Sequence, residues 1–180
     1  MSELVIKYTF GRKDYSLKPL LKSFWRDNIS AYRQEIDVHQ RKENGVKVNS
    51  RSPSLLSRKP AATIRDRSGE LVGVVFVELR SLFAELNLGT HAYFQRMYII
   101  DSLRNASLAY RLNQTFLEGF VPAKRPRDHR ANNLIVEISN PRLQNSYIRK
   151  YLNRLGFRML GTNTLNEEIW HLALDTTYNM

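Results

Sequence analysis

The stretch from Leu134 to Phe157, LIVEISNPRLQNSYIRKYLNRLGF, constrains the fold more than any other part of the chain. Leu134, Val136 and Ile138 share one face at strand period and Ile135 and Glu137 take the other, so a strand with a buried face is expected. Asn140-Pro141 ends it, because proline has no N–H for a ladder. Leu143, Tyr147, Ile148, Tyr151, Leu152 and Leu155 then recur at helical spacing. Gly156 stands where a helix end favours a left-handed residue. A strand, a turn, a short amphipathic helix and a tight stop follow one another in order, which points to an α/β arrangement.

The same periodicities divide the remainder. Leu4, Ile6, Tyr8 and Phe10 alternate as a first strand. Leu17, Leu20, Leu21, Phe24, Trp25, Ile29, Tyr32 and Ile36 form the apolar stripe of a helix with Pro19 in its first turn. From about Asp37 to Lys59 the period is lost; the segment is basic and rich in Ser and Asn, and a long loop is expected, with a short helix at Ser54 to Ser57. Ala62 to Asp66 and Glu70 to Arg80 flank Arg67-Ser68-Gly69 as a hairpin, the second strand being the most apolar segment and therefore central. Ser81 to Thr90 turns into the strand His91 to Asp101. A helix follows from about Asn105 to Phe120, and a basic loop, VPAKRPRDHRANN, leads into the opening motif. Arg158 to Gly161 and Glu168 to Leu174 close the chain as strands. The order is β-α-loop-β-β-β-α-β-α-β-β, without repeats, and 1–180 reads as one domain.

Composition excludes several classes of chemistry. Without cysteine there is no disulfide, thiolate nucleophile or cysteine zinc site. The histidines, His39, His91, His129 and His171, include no i, i+4 pair, so no metal is expected. The longest apolar run, Leu71 to Val77, is too short to cross a bilayer, and the first residues lack the pattern of a signal peptide; a soluble cytoplasmic protein with no membrane role is expected. The net charge of +11 calls for an anionic partner. Nucleic acid, an acidic protein surface and a polyphosphate co-substrate all meet that need.

The opening motif resembles the last conserved unit of the GNAT superfamily of N-acetyltransferases, Asn-x-x-Ala-x-x-Phe-Tyr-x-x-Leu-Gly-Phe. Asn145, Ile148, Tyr151, Leu152, Leu155, Gly156 and Phe157 fall in register with it. The element order is similar over nearly the whole chain, the long loop at about 37–60 replacing the family's variable second helix. The resemblance implies an acyl-CoA N-acyltransferase fold, with a mixed, mostly antiparallel central sheet flanked by helices. It also implies acetyl-CoA or another acyl-CoA as co-substrate, an amine acceptor and, commonly in that family, a homodimer.

Site residues follow from the resemblance. The family's phosphate turn, Arg/Gln-x-x-Gly-x-Gly/Ala, maps onto Arg104, Asn105, Ala106, Ser107, Leu108 and Ala109, with Ser107 in a glycine's place. A helix N-terminus with small residues suits a pyrophosphate. A plain capped helix, with Asp101 or Ser102 at its N-cap, explains the same residues. Backbone groups from Met97 to Ile99 are implied as the oxyanion donor and cofactor edge, and Asn145 as a pantetheine contact or simply a helix-end residue. Acyl transfer needs a base for the amine, a donor for the oxyanion and an acid for the thiolate. The base candidates are Glu78, Tyr98 and Glu137. Against them stand solvent-facing glutamates paired with arginine, and a core tyrosine. Leu152 occupies the place where many of these enzymes keep a tyrosine acid, and Tyr151, one residue earlier, is turned about 100° away.

Two other functions fit. One is an inactive module on the same scaffold that binds nucleic acid or an acidic protein through Arg41 to Lys59, Lys124 to Arg130 and Arg149, Lys150 and Arg154. The other is a relative of the acyl-homoserine lactone and N-acyl amino acid synthases, with the long loop covering a bulky acyl chain.

Overall fold

The computed structural model describes residues 4–40, 58–82 and 86–174, with the side chains of 35–40 excepted. Its elements are β1 (Val5–Tyr8), α1 (Leu17–Gln40), β2 (Lys59–Arg65), β3 (Leu71–Ser81), β4 (His91–Ile99), α2 (Ala106–Phe120), β5 (Ala131–Ile138), α3 (Ser146–Arg154), β6 (Arg158–Thr162) and β7 (Glu168–Ala173). The strands form one sheet in the order β1-β2-β3-β4-β5-β7-β6. Every pairing is antiparallel except β4 with β5.

The core has two layers because the strands alternate. Val75 and Val77 of β3 face α2, where Leu108, Leu112, Phe116 and Phe120 complete one buried cluster. Val74 and Phe76 face α1, where Phe24 and Tyr32 complete the other with Tyr98 of β4. β3 is buried along most of its length, as its apolar sequence requires of a central strand.

Local chemistry accounts for the turns. At Asp66 to Gly69, the Asp66 carboxylate accepts from Ser68 N and Glu70 N, and Gly69 takes φ 86° to close the hairpin. α3 ends in a Schellman motif: Phe157 N donates to Leu152 O, Gly156 N to Asn153 O, and Gly156 has φ 89°.

Several boundaries differ from the sequence expectation. α1 continues to Gln40, so residues 37–40 are helical rather than loop; the proposed helix at Ser54 to Ser57 lies outside the described residues. The last helix starts at Ser146, because Pro141–Leu143 forms a separate 3-10 turn capped by Asn140. The N-cap of α2 is Asn105, neither Asp101 nor Ser102, since Asp101–Leu103 is its own 3-10 turn.

Candidate active site at the β4–β5 splay

β4 and β5 pair from His91↔Ala131 to Gln95↔Val136 and no further. β4 nevertheless stays on β3 as far as Ile99, and β5 stays on β7 as far as Ile138. The two central strands therefore part after Gln95 and Val136, each held to its outer neighbour. Ile100 N donates to Val72 O, next to the register pair Gly73↔Ile99. By the alternation of an antiparallel ladder, Met97 and Ile99 then turn their peptide groups away from β3 and into the opening. The Met97 side chain, beside the gap, is 38% exposed.

Each face of the opening carries its own polar groups. On the α2 face Gln95, 8% exposed, donates through Nε2 to Asn113 Oδ1 of α2 at 2.6 Å. Asn113 Nδ2 donates to the Tyr151 hydroxyl of α3 at 3.0 Å. This chain ties both helices to the root of the splay. Burial pushes the Tyr151 phenol above its ordinary value, Asn113 opposing that shift in part. Gln95 Oε1 is buried without a hydrogen-bond partner among the described residues, a vacant acceptor beside the opening.

On the α1 face Arg80 donates through Nε and NH2 to Glu78 Oε2 at 2.9 and 2.8 Å. Arg96 NH2 donates to Glu137 Oε2 at 2.6 Å, and Arg80 NH1 lies 3.6 Å from the same oxygen. Two of the predicted catalytic residues, Glu78 and Glu137, are thus brought together through Arg80, although they come from different strands. Arg80 also stacks on Phe94, 4.4 Å from the ring centroid.

The other predicted residues lie apart from this cluster. Tyr98 is buried among Phe24, Trp25 and Tyr32, with the Arg104 guanidinium over its ring. Arg104 folds back onto Ile99 O at 3.0–3.1 Å and onto Asp101 at 2.9 Å. Asn105 Oδ1 accepts from Leu108 N, taking one of the amides expected for phosphate. Ala106 and Ser107 are exposed at the helix start, Leu108 is in the core and Ala109 packs against it. Asn145 Oδ1 caps α3 through Tyr147 N and Ile148 N. Leu152 is buried in the core.

Parts of the expected basic surface are committed internally. Arg149 pairs with the buried Glu168 at 2.5 Å, and Arg127 donates to Ala123 O. Arg130 binds Asp128 at 2.8 Å and holds its carboxyl far below the usual range. A groove of about 640 Å³ lies between α1 and the ends of β3 and β4, lined by Asp27, Glu70 and Asp101 among others; it is distinct from the splay.

No protein-family model matches the chain, and no curated protein matches it. Solved structures do. One provisionally assigned as a phosphinothricin N-acetyltransferase superposes on 96% of this chain and 99% of its own, at 14% identity and TM-score 0.50. The KacTA–DNA complex matches over 96% and 94% at 14% identity and TM-score 0.49. The phosphinothricin acetyltransferase Pat of Sinorhizobium meliloti, solved with AcCoA, matches over 66% of this chain at 14% identity and TM-score 0.43. This chain spans 63% of that protein's length, and 63% of an Acinetobacter baylyi protein also assigned as an acetyltransferase. At such identities likeness speaks for architecture, and on that ground the chain has the acyl-CoA N-acyltransferase fold of the GNAT superfamily.

Proposed function

We propose that the protein transfers an acyl group from acyl-CoA to an amine by direct attack. The observation that carries this reading is the splay: two central strands separated at Gln95 and Val136, with the Met97 and Ile99 peptides turned into the gap. An extended amide-bearing arm suits such an edge, because it supplies the hydrogen bonds a missing strand would. The buried, vacant Gln95 Oε1 is suited to accept one of its amide N–H groups.

The chain's own groups divide the chemistry. Met97 N–H, the first inward peptide beyond the paired region, is assigned to the oxyanion. Glu137 is assigned to the amine: it takes a proton from the ammonium, directly or through water, and frees the lone pair for attack. The C–N bond forms, the C–S bond breaks with its electron pair going to sulfur, the attacking nitrogen gives its second proton to water, and the thiolate is protonated. Leu152 cannot supply that proton. The Tyr151 hydroxyl accepts from Asn113, which leaves its own hydrogen available, and like any phenol it is protonated near neutral pH, burial moving it further in that direction. Tyr151 is therefore our candidate for the acid.

The test is calorimetry with acetyl-CoA and with Ser107→Glu, followed by thiol release with a panel of amines. Binding that Ser107→Glu abolishes, together with amine-dependent turnover, supports the reading. Absence of binding to acetyl-CoA and to longer acyl-CoAs would remove it. One observation favours a second reading: with Leu152 buried where the resembling family keeps an acid, the scaffold serves a non-catalytic role, its exposed Lys124, Arg125, Lys150 and Arg154 meeting nucleic acid or an acidic protein.

A further inference from the structure

We infer that the acceptor amine carries its own anionic group, as an amino acid does, and that Arg96 receives that group while Glu137 faces the amine. This rests on the acyl-transfer reading and specifies its substrate. Arg96 and Glu137 are the first residues beyond the last paired positions of β4 and β5, and their side chains meet across the mouth of the opening. Strand alternation places them on the α1 face, opposite the Gln95–Asn113–Tyr151 chain.

The ion pair leaves each partner half used. Both contacts to Glu137 fall on Oε2, so Oε1 has no partner among the described residues. Arg96 engages through NH2 alone, so its Nε and NH1 have none either. The side chains are 20% and 16% exposed, reachable but partly desolvated, so charge is discriminated more strongly than on an open surface. A ligand bearing both signs fits this template: its ammonium beside Glu137 Oε1 and its anion on the spare edge of Arg96.

The surrounding charges choose between ligand classes. Arg58 lies over Phe76, the cross-strand partner of Arg96, at 4.9 Å, and its Nε is buried without a partner among the described residues. Among the described side chains gathered around the Arg96–Glu137 pair, Arg58, Arg80 and Arg96 stand against Glu78 and Glu137, an excess of positive charge; the acids Asp27, Glu70 and Asp101 lie in the separate groove against α1. A polyamine or an unadorned lysine side chain is disfavoured there; an amine with an adjacent carboxylate is not. Phe76, buried in the core beneath Arg58, and Phe94, beneath Arg80, back the two guanidinium groups with apolar surface.

The experiment compares acetyl-CoA turnover of the common L-amino acids with that of their carboxamides, with spermidine and a lysine-containing peptide as further acceptors. The free acids should be preferred, the amides losing about tenfold to a hundredfold in kcat/KM, mostly through KM, as expected for one charged hydrogen bond. Arg96→Met should draw the acid-to-amide ratio towards one, and Arg96→Lys should restore part of it. The wild-type comparison stands even where a variant folds poorly. Amides, spermidine or peptide used as well as the acids would overturn the inference while leaving acyl transfer intact. Loss of the parent reading looks different: no acetyl-CoA binding and no thiol release with any amine, which removes both.

Discussion

Replacing Asn113 with Leu should cost far more than replacing Asn113 and Gln95 together. In the wild type, Gln95 and Asn113 are each 8% exposed and joined at 2.6 Å, and Asn113 also donates to Tyr151. Asn113→Leu removes both bonds and leaves the Gln95 amide, whose Oε1 already lacks a partner, with its Nε2 stranded as well. Two lost bonds at about 1 kcal/mol each, plus a buried donor left unpaired, give about 2–4 kcal/mol. For a chain of this size that lowers Tm by about 5–15 °C. Gln95→Met strands only Asn113 Oδ1 and deletes the vacant acceptor, for about 1 kcal/mol. The double variant replaces both partners with apolar groups and should lie within about 1 kcal/mol of wild type. Urea titration of the four proteins measures the coupling. Costs that add to within about 0.5 kcal/mol would show that the two amides do not depend on each other. Gln95→Met should also weaken acetyl-CoA binding several-fold with little loss of stability, because Oε1 is the group assigned to the arm.

Other outcomes follow from single positions. Gly156→Ala forces a Cβ onto a φ of 89°, with Leu172 Cδ1 at 3.2 Å, and should cost about 1–2 kcal/mol by thermal melting. Asn105→Asp should strengthen the α2 cap by about 0.5 kcal/mol while weakening acetyl-CoA binding; improved binding would place the pyrophosphate elsewhere. Burial, helped by Arg158, holds the His171 imidazole below its ordinary 6.5, so the unfolded chain takes up a proton first as pH falls. Its contribution is complete above about pH 6.5 and is lost as pH drops through the folded value. His171→Gln should flatten that part of the stability profile, and an unchanged slope would contradict the assignment.

The fold was legible because its elements are locally marked. The period-two run of β5, the Asn140-Pro141 break, Gly156 and the Gly69 hairpin each bring their own geometry. Boundaries were less legible where two signals overlap: Asn140-Pro141 starts a 3-10 turn that shares the helical apolar spacing of α3, and the α1 stripe gives no marker for its end. The site was legible only in part. Met97, Ile99 and Glu137 were reachable through motif register, and Glu78 by its place on the central strand. Arg80, Arg96, Gln95 and Asn113 were not singled out. Alternation alone puts Arg80 beside Glu78 and Arg96 on the face of Tyr98. The meeting of Arg96 with Glu137, and of Gln95 with Asn113, depends on a long-range parallel pairing that no local pattern encodes. Asn105, expected as a cofactor contact, and Asn145, expected as a pantetheine contact or a helix-end residue, both cap helices, a role any Asn before a helix can fill.

The most direct test of the splay as the acyl-CoA site is residue-resolved amide exchange along β4, with and without acetyl-CoA. Ile100 N–H is bonded to Val72 O, and Tyr98 faces β3 by the same alternation, so both amides should be protected in either state. The Met97 and Ile99 amides, facing the opening, should exchange fast in the free protein and become protected at least about tenfold when acetyl-CoA is added. Protection that appears at this alternating pair is the predicted result. Met97 and Ile99 amides that are already slow in the free protein, or that stay fast with acetyl-CoA bound, would contradict it.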